Sequence, residues 1–127
     1  MVHVSDMFEM DVCETKDNIL VVHHDRSLER TCGTHAHVNE LDYKDLPKFK
    51  SEINLDFAVD KRIITNDEKI PTLEEVFQIF PAVPMNIELK TPTPTAMKEF
   101  ARLIYEYDRK DITICGIRNK NNNIFIK

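Results

Sequence analysis

An α/β fold is predicted by three features of this chain: two apolar runs near the start that are close enough to pair, a capped amphipathic helix in the middle, and a strand-helix-strand succession over 85–117. In the first run, Met7-Phe8-Glu9-Met10-Asp11-Val12, a strand sends Phe8, Met10 and Val12 to one side and Glu9 and Asp11 together to the other. Two carboxylates then share a wall. Carboxylates on a buried strand are costly unless a cation or hydrogen bonds compensate them, and a hard divalent cation is the simplest compensation.

Only Glu14 to Asn18 separate this run from Ile19-Leu20-Val21-Val22-His23-His24-Asp25-Arg26, whereas a parallel crossover needs a dozen residues or more. An antiparallel hairpin follows, with Thr15-Lys16-Asp17-Asn18 as its turn. Pairing Glu14 with Ile19 puts Asp11 opposite Val22 and Glu9 opposite His24; a register one residue off puts His23 there instead. The hairpin alone places one histidine beside the carboxylates and does not say which.

Beyond it, Ser27 to Asn39 reads as loop, with Gly33 at a turn. His35 and His37 alternate as metal ligands do, but no third ligand of suitable spacing accompanies them, so they are read as loop residues, and His3 as a terminal histidine. Leu41 to Leu46 is expected to make one helical turn before Pro47. Lys48 to Lys69 has no sustained period and reads as a long excursion, either a surface insertion or a segment that covers substrate.

Thr72-Leu73-Glu74-Glu75 is a capping box, and Leu73, Val76, Phe77 and Phe80 recur at helical spacing until Pro81. Met85 to Lys90 repeats the first strand's alternation, with Asn86, Glu88 and Lys90 on one face, so the two are expected to pair. Thr95 is expected to cap a helix with Met97, Phe100, Ala101, Ile104 and Tyr107 on one stripe. A β-rich run, Asp111 to Ile117, then completes a parallel pair with a right-handed crossover. Residues 119–127 are expected to be a polar tail after a domain spanning 1–118.

Composition narrows the function. The 127 residues, 42% hydrophobic and 31% charged, suit one soluble domain, and the net charge of -5 with scattered basic residues argues against a nucleic-acid partner. Cys13, Cys32 and Cys115 form no Cys-x-x-Cys pair and make neither a disulfide framework nor a zinc site, so a reducing, cytoplasmic compartment is expected. No apolar run approaches the ~18 residues of a membrane span, and no signal segment follows Met1.

Several strings, in order and spacing, resemble the glycerophosphodiester phosphodiesterase family: Asp6 to Val12, Thr15-Lys16-Asp17, Val21-Val22-His23-His24-Asp25, Leu28, Arg30-Thr31, Gly33, Ile70 to Phe77, and Asn86-Ile87-Glu88-Leu89-Lys90. Leu41 to Pro47 and the segment around Phe80-Pro81 are most similar to its eukaryotic, lysophospholipase D type branch. Members of that branch commonly carry a membrane anchor, which implies membrane association for a full-length form. The resemblance implies an (α/β)8 barrel, whose usual length of about 250 residues is twice that of this chain, so an incomplete TIM-type barrel is expected. The first strand and the later ones are missing from it, and the antiparallel hairpin lies at the metal site.

The resemblance also implies roles. Glu9, Asp11 and Glu88 match the ligands of one divalent cation, magnesium or calcium, and Lys90 the lysine that holds the phosphate. His24 matches one of two histidines that trade a proton with nucleophile and leaving group. His23 is read as structural, and Arg30 as either a family position or a surface residue. The second histidine belongs to a His-Arg-Gly motif on the absent first strand, and its loss is expected to cost about 10²-fold or more in rate. Two functions follow. One is a metal-dependent phosphodiesterase of lipid metabolism that hydrolyses glycerophosphodiesters or lysophospholipids and releases an alcohol such as choline or ethanolamine. The other is a catalytically inactive fragment that binds a cation or phosphate headgroup, or acts as a partner-binding piece.

Overall fold

The two stretches in which apolar residues alternate with carboxylates lie side by side as parallel strands, with Asp11 opposite Glu88. The computed structural model describes residues 7–50 and 69–118 together with the backbone of 123–126. In chain order the elements are β1 (Phe8–Glu14), β2 (Leu20–Val22), α1 (Glu29–Cys32), α2 (Leu73–Ile79), β3 (Met85–Leu89), α3 (Pro94–Glu106), β4 (Thr113–Arg118) and β5 (Asn123–Ile126). Short 3-10 turns at Val38–Glu40 and Tyr43–Asp45 lie between α1 and α2.

The five strands form one mixed sheet in the order β2-β1-β3-β4-β5. β1, β3 and β4 run parallel, and β2 and β5 lie antiparallel to their neighbours. Phe8, Met10 and Val12, with Met85, Ile87 and Leu89 beside them and Thr113, Cys115 and Ile117 next, make one buried face. Leu73, Val76 and Phe77 of α2 and Ala96, Phe100 and Leu103 of α3 complete the core. Burying such side chains contributes roughly 1.5–3 kcal/mol each, which sets the register. Glu9 and Asp11, with Asn86 and Glu88, are left on the opposite face. No helix of the described residues is long and apolar enough to cross a membrane.

Local signals act as their chemistry requires. The Thr72 hydroxyl accepts the Glu75 amide at 3.0 Å, while the Glu75 carboxylate accepts the Thr72 amide at 2.9 Å. Gly33 ends α1 at φ 72°, in the left-handed region that suits glycine. The single turn expected over 41–46 is the 3-10 turn Tyr43–Asp45.

Several expectations need correction. The hairpin forms, but Glu14 pairs with Leu20 and Val12 with Val22, one residue off the Glu14 to Ile19 pairing. The turn takes in Ile19: the Thr15 amide donates to the Ile19 carbonyl at 2.9 Å, the Ile19 amide to the Thr15 hydroxyl at 3.0 Å, and Asn18 sits at φ 66°. The cap of α3 is Thr93, not Thr95, because Pro94 suits the first helical position, where no N–H is needed; the Thr93 hydroxyl accepts the Ala96 amide at 3.0 Å.

Thr95 instead donates to the buried Glu14 at 2.7 Å, as Thr93 does at 2.6 Å. The buried stripe of α3 is accordingly turned toward Ala96, Phe100 and Leu103. Met97 and Ala101 line an apolar groove of about 700 Å³ with Leu89, Ile104 and Ile117. Part of 27–39, read as loop, is the helix α1. The segment read as a polar tail contains β5, paired with β4 from Cys115↔Ile126 to Arg118↔Asn123. Most of the excursion over 48–69 lies outside the described residues.

Candidate active site

The carboxylate face narrows to a cluster where β1 and β3 end. Strand alternation puts Glu88 and Lys90 on the same side, and the parallel register sets them beside Asp11. The Lys90 ammonium lies between two carboxylates, 3.2 Å from Glu88 Oε2 and 3.7 Å from Asp11 Oδ1. The backbone holds it there: the Lys90 amide donates to the Val12 carbonyl at 2.9 Å, and Arg26 Nη2 donates to the Lys90 carbonyl at 2.7 Å. Partial burial pushes the Asp11 carboxyl above its ordinary value, and nearby Lys90 and His24 pull the other way. Glu9 lies two residues earlier on the same face, about 7 Å along the strand, and is exposed.

The two histidines take different surroundings, and the hairpin register does not decide which ring reaches the carboxylates. Continuing the observed register sets His23 opposite Asp11, and the His23 amide donates to the Asp11 carbonyl at 3.0 Å. Its ring, however, is fully buried. Nδ1 meets the Asp25 carbonyl at 2.6 Å, Nε2 the Thr31 hydroxyl at 2.7 Å, and the ring stacks on Phe49 with centroids 6.0 Å apart. Burial lowers its pKa. The imidazole that reaches the carboxylates belongs to His24, whose Nε2 lies 3.9 Å from Asp11 Oδ2.

Sequence reasoning did not assign Asp25 and Arg26 to this cluster and left Arg30 undecided. Asp25 Oδ1 lies 2.8 Å from His24 Nδ1, and Arg30 grips the same carboxylate through Nε at 2.8 Å and Nη2 at 3.0 Å. These hydrogen bonds, Arg30's first, hold the Asp25 carboxyl down at about 2. Asp25 and Arg30 lie five residues apart across the entry to α1, and both fall in strings that carry the family resemblance. His35 and His37 are exposed; His35 contacts Glu29 at 3.2 Å, and His37 serves a turn whose amide Glu40 accepts at 2.6 Å.

Hard carboxylate oxygens on one face, two of them already flanking an ammonium, are a donor set that suits a divalent cation. Their oxygens are not gathered around one point: among the described residues no three carboxylates, imidazoles or thiols stand together as ligands of one ion. The chemistry of the donors fits, with the Lys90 ammonium standing between Asp11 and Glu88.

Comparison with known proteins decides the family, for the model of the Glycerophosphoryl diester phosphodiesterase family matches residues 3–126. The chain belongs to this family. The match extends past Arg118 and includes the region of β5. Lysophospholipase D GDPD1 of Mus musculus is 35% identical over 123 residues, 97% of this chain and 38% of that protein. Lysophospholipase D GDPD3 of Homo sapiens is 37% identical over 114 residues, 90% of this chain and 36% of that protein. The chain thus spans little more than a third of these relatives.

Solved family members carry the same fold. The glycerophosphodiester phosphodiesterase from Agrobacterium tumefaciens str. C58 superposes with a TM-score of 0.71 at 22% identity, covering 91% of this chain and 46% of that one. For a glycerophosphoryl diester phosphodiesterase from Parabacteroides distasonis the values are 0.64, 25%, 86% and 35%.

Proposed function

We propose that this chain carries the cation-binding and proton-handling part of a phosphodiesterase that hydrolyses glycerophosphodiesters or lysophospholipids. The observation that carries this reading is the meeting of Asp11, Glu88, Lys90 and His24 at the ends of two parallel strands, with His24 Nε2 3.9 Å and Lys90 Nζ 3.7 Å from the Asp11 carboxylate. Glu9, Asp11 and Glu88 would hold one magnesium or calcium ion. When bound, the ion supplies Lewis-acid polarisation of a phosphodiester oxygen. Lys90 would hold the phosphate, its positive charge offsetting the charge that builds as the P–O bond to the alcohol breaks. His24 Nε2 exchanges a proton with the attacking or departing oxygen.

In this reading the mixed sheet is a portion of an (α/β)8 barrel, and the apolar groove along α3 and β4 faces where a further barrel element packs. A second reading, binding of a cation or a phosphate headgroup without turnover, is favoured by one observation. Among the described residues His24 is the only imidazole at the carboxylates, since the ring of His23 is buried against Thr31 and Phe49.

Incubation of the full chain with glycerophosphocholine or lysophosphatidylcholine, plus magnesium or calcium, separates the two by release of choline. The hydrolase reading expects turnover that Glu9→Ala abolishes. Choline release no greater than that of Glu9→Ala would leave only the binding reading.

A further inference from the structure

Asp25 reaches both histidines, one through its side chain and the other through its main chain. An ionised carboxylate only accepts hydrogen bonds, so the 2.8 Å contact of Asp25 Oδ1 with His24 Nδ1 requires a proton on Nδ1. Nε2, the ring atom facing Asp11, is left with its lone pair. Isolated histidine favours the other tautomer, with the proton on Nε2, so the carboxylate reverses an intrinsic preference.

The carboxylate cannot swing away easily. Arg30 clasps both of its oxygens in a fork, through Nε on Oδ2 and Nη2 on Oδ1. The next residue, Thr31, hydrogen-bonds the His23 ring. The short helix α1 therefore presents two consecutive side chains, Arg30 to the partner of His24 and Thr31 to the His23 ring itself. Arg30 sets Asp25, Thr31 sets His23, and the Asp25 carbonyl closes the pair through His23 Nδ1. With its carboxyl held at about 2, Asp25 stays an acceptor throughout the neutral range.

We propose that Asp25, clasped by Arg30, is a positioning residue that holds the His24 imidazole as the Nδ1–H tautomer with its Nε2 lone pair turned to the carboxylate cluster. The inference gives His24 its direction of proton transfer and, in that respect alone, rests on the hydrolase reading.

Two-bond 1H–15N correlation spectra of the full chain, labelled at histidine and recorded near pH ~8, where an ordinary imidazole is neutral, test it without any turnover. His24 should show the Nδ1–H pattern in the wild type and change to predominantly Nε2–H in Asp25→Ala. In Arg30→Gln, which leaves the Asp25 carboxylate in place but unclasped, the Nδ1–H share should fall. His23 is the internal control. Its Nδ1 donates to a main-chain carbonyl that no substitution removes, so it should stay Nδ1–H wherever the fold is intact.

An Nε2–H or averaged His24 in the wild type would overturn the proposal, and so would an unchanged His24 in Asp25→Ala with the His23 pattern retained. If Asp25→Ala loses the His23 pattern, Arg30→Gln, whose side chain lies on the surface, decides alone, and an unchanged His24 there refutes the clasp. If choline release is measurable, Asp25→Ala should lower kcat about tenfold or more with little change in KM, as loss of an orienting partner does. A locked tautomer without turnover would sink the hydrolase reading and leave this one standing.

Discussion

Arg109→Ala should cost about 3 kcal/mol or more of unfolding free energy, since each buried acceptor left without its donor costs about 1–3 kcal/mol. The guanidinium is fully buried, and the groups it donates to are neutral. It donates through Nη1 to the carbonyls of Phe80 and Pro81 at 3.1 and 3.0 Å, through Nη2 to that of Val83, and through Nε to the Thr113 hydroxyl at 3.2 Å. It also lies 4.5 Å from the centre of the Phe77 ring, a cation–π contact.

One side chain thus satisfies the carbonyls of the connection between α2 and β3 and fastens it to β4. That connection sets where β3 begins: the Phe8 amide donates to the Pro84 carbonyl at 3.0 Å, and the Met85 amide to the Ile112 carbonyl at 2.8 Å. Alanine would leave three carbonyls short of a donor and a cavity beneath Phe77. Urea unfolding reads the effect as a lowered midpoint at constant slope. Arg109→Lys should recover part of the loss, because one ammonium cannot fork across three carbonyls and a hydroxyl. A change under about 1 kcal/mol, no more than a single ordinary hydrogen bond contributes, would show that water replaces the guanidinium.

His24→Ala should reduce choline release by a factor of about 10²–10⁴, the range of a positioned acid or base. Its Nε2 faces Asp11, and the ring is half-exposed, so the substitution removes little packing. The unfolding midpoint should stay near that of the wild type while kcat falls. A loss in kcat below tenfold at unchanged stability would remove His24 from the proton transfer. The measurement also separates His24 from its neighbour, whose buried ring binds Thr31 and the Asp25 carbonyl and acts through folding.

What was legible in the sequence is what period 2 and local caps encode. The strands at 8–14 and 85–89, their pairing, the Thr72 cap and the placing of Glu9, Asp11 and Glu88 on one face all follow from alternation and short-range hydrogen bonding. Three other features depend on competition that no local pattern records. The hairpin register turned on whether the turn would absorb Ile19, which the Thr15 hydroxyl and the left-handed Asn18 decide. The cap of α3 went to Thr93 because Thr95 has a distant partner in Glu14.

The third is the buried side of α3. Its sequence is apolar over a wide arc, and tertiary packing chooses Ala96, Phe100 and Leu103 over Met97 and Ala101. For the site, the family motifs named His24 where hairpin geometry could not choose. The reason lies after β2, where the chain buries the His23 ring and brings the His24 ring to Asp11. Asp25 and Arg30 escaped notice as a pair because their bond spans the entry to a helix of only Glu29–Cys32, too short to show a period.

Calorimetric titration of the full chain with magnesium and with calcium addresses the carboxylate site without reference to turnover. Saturable one-to-one binding is predicted for the wild type, lost in Asp11→Asn and in Glu88→Gln. Absence of binding by the wild type, or equal binding by both variants, would contradict a cation site on these strands.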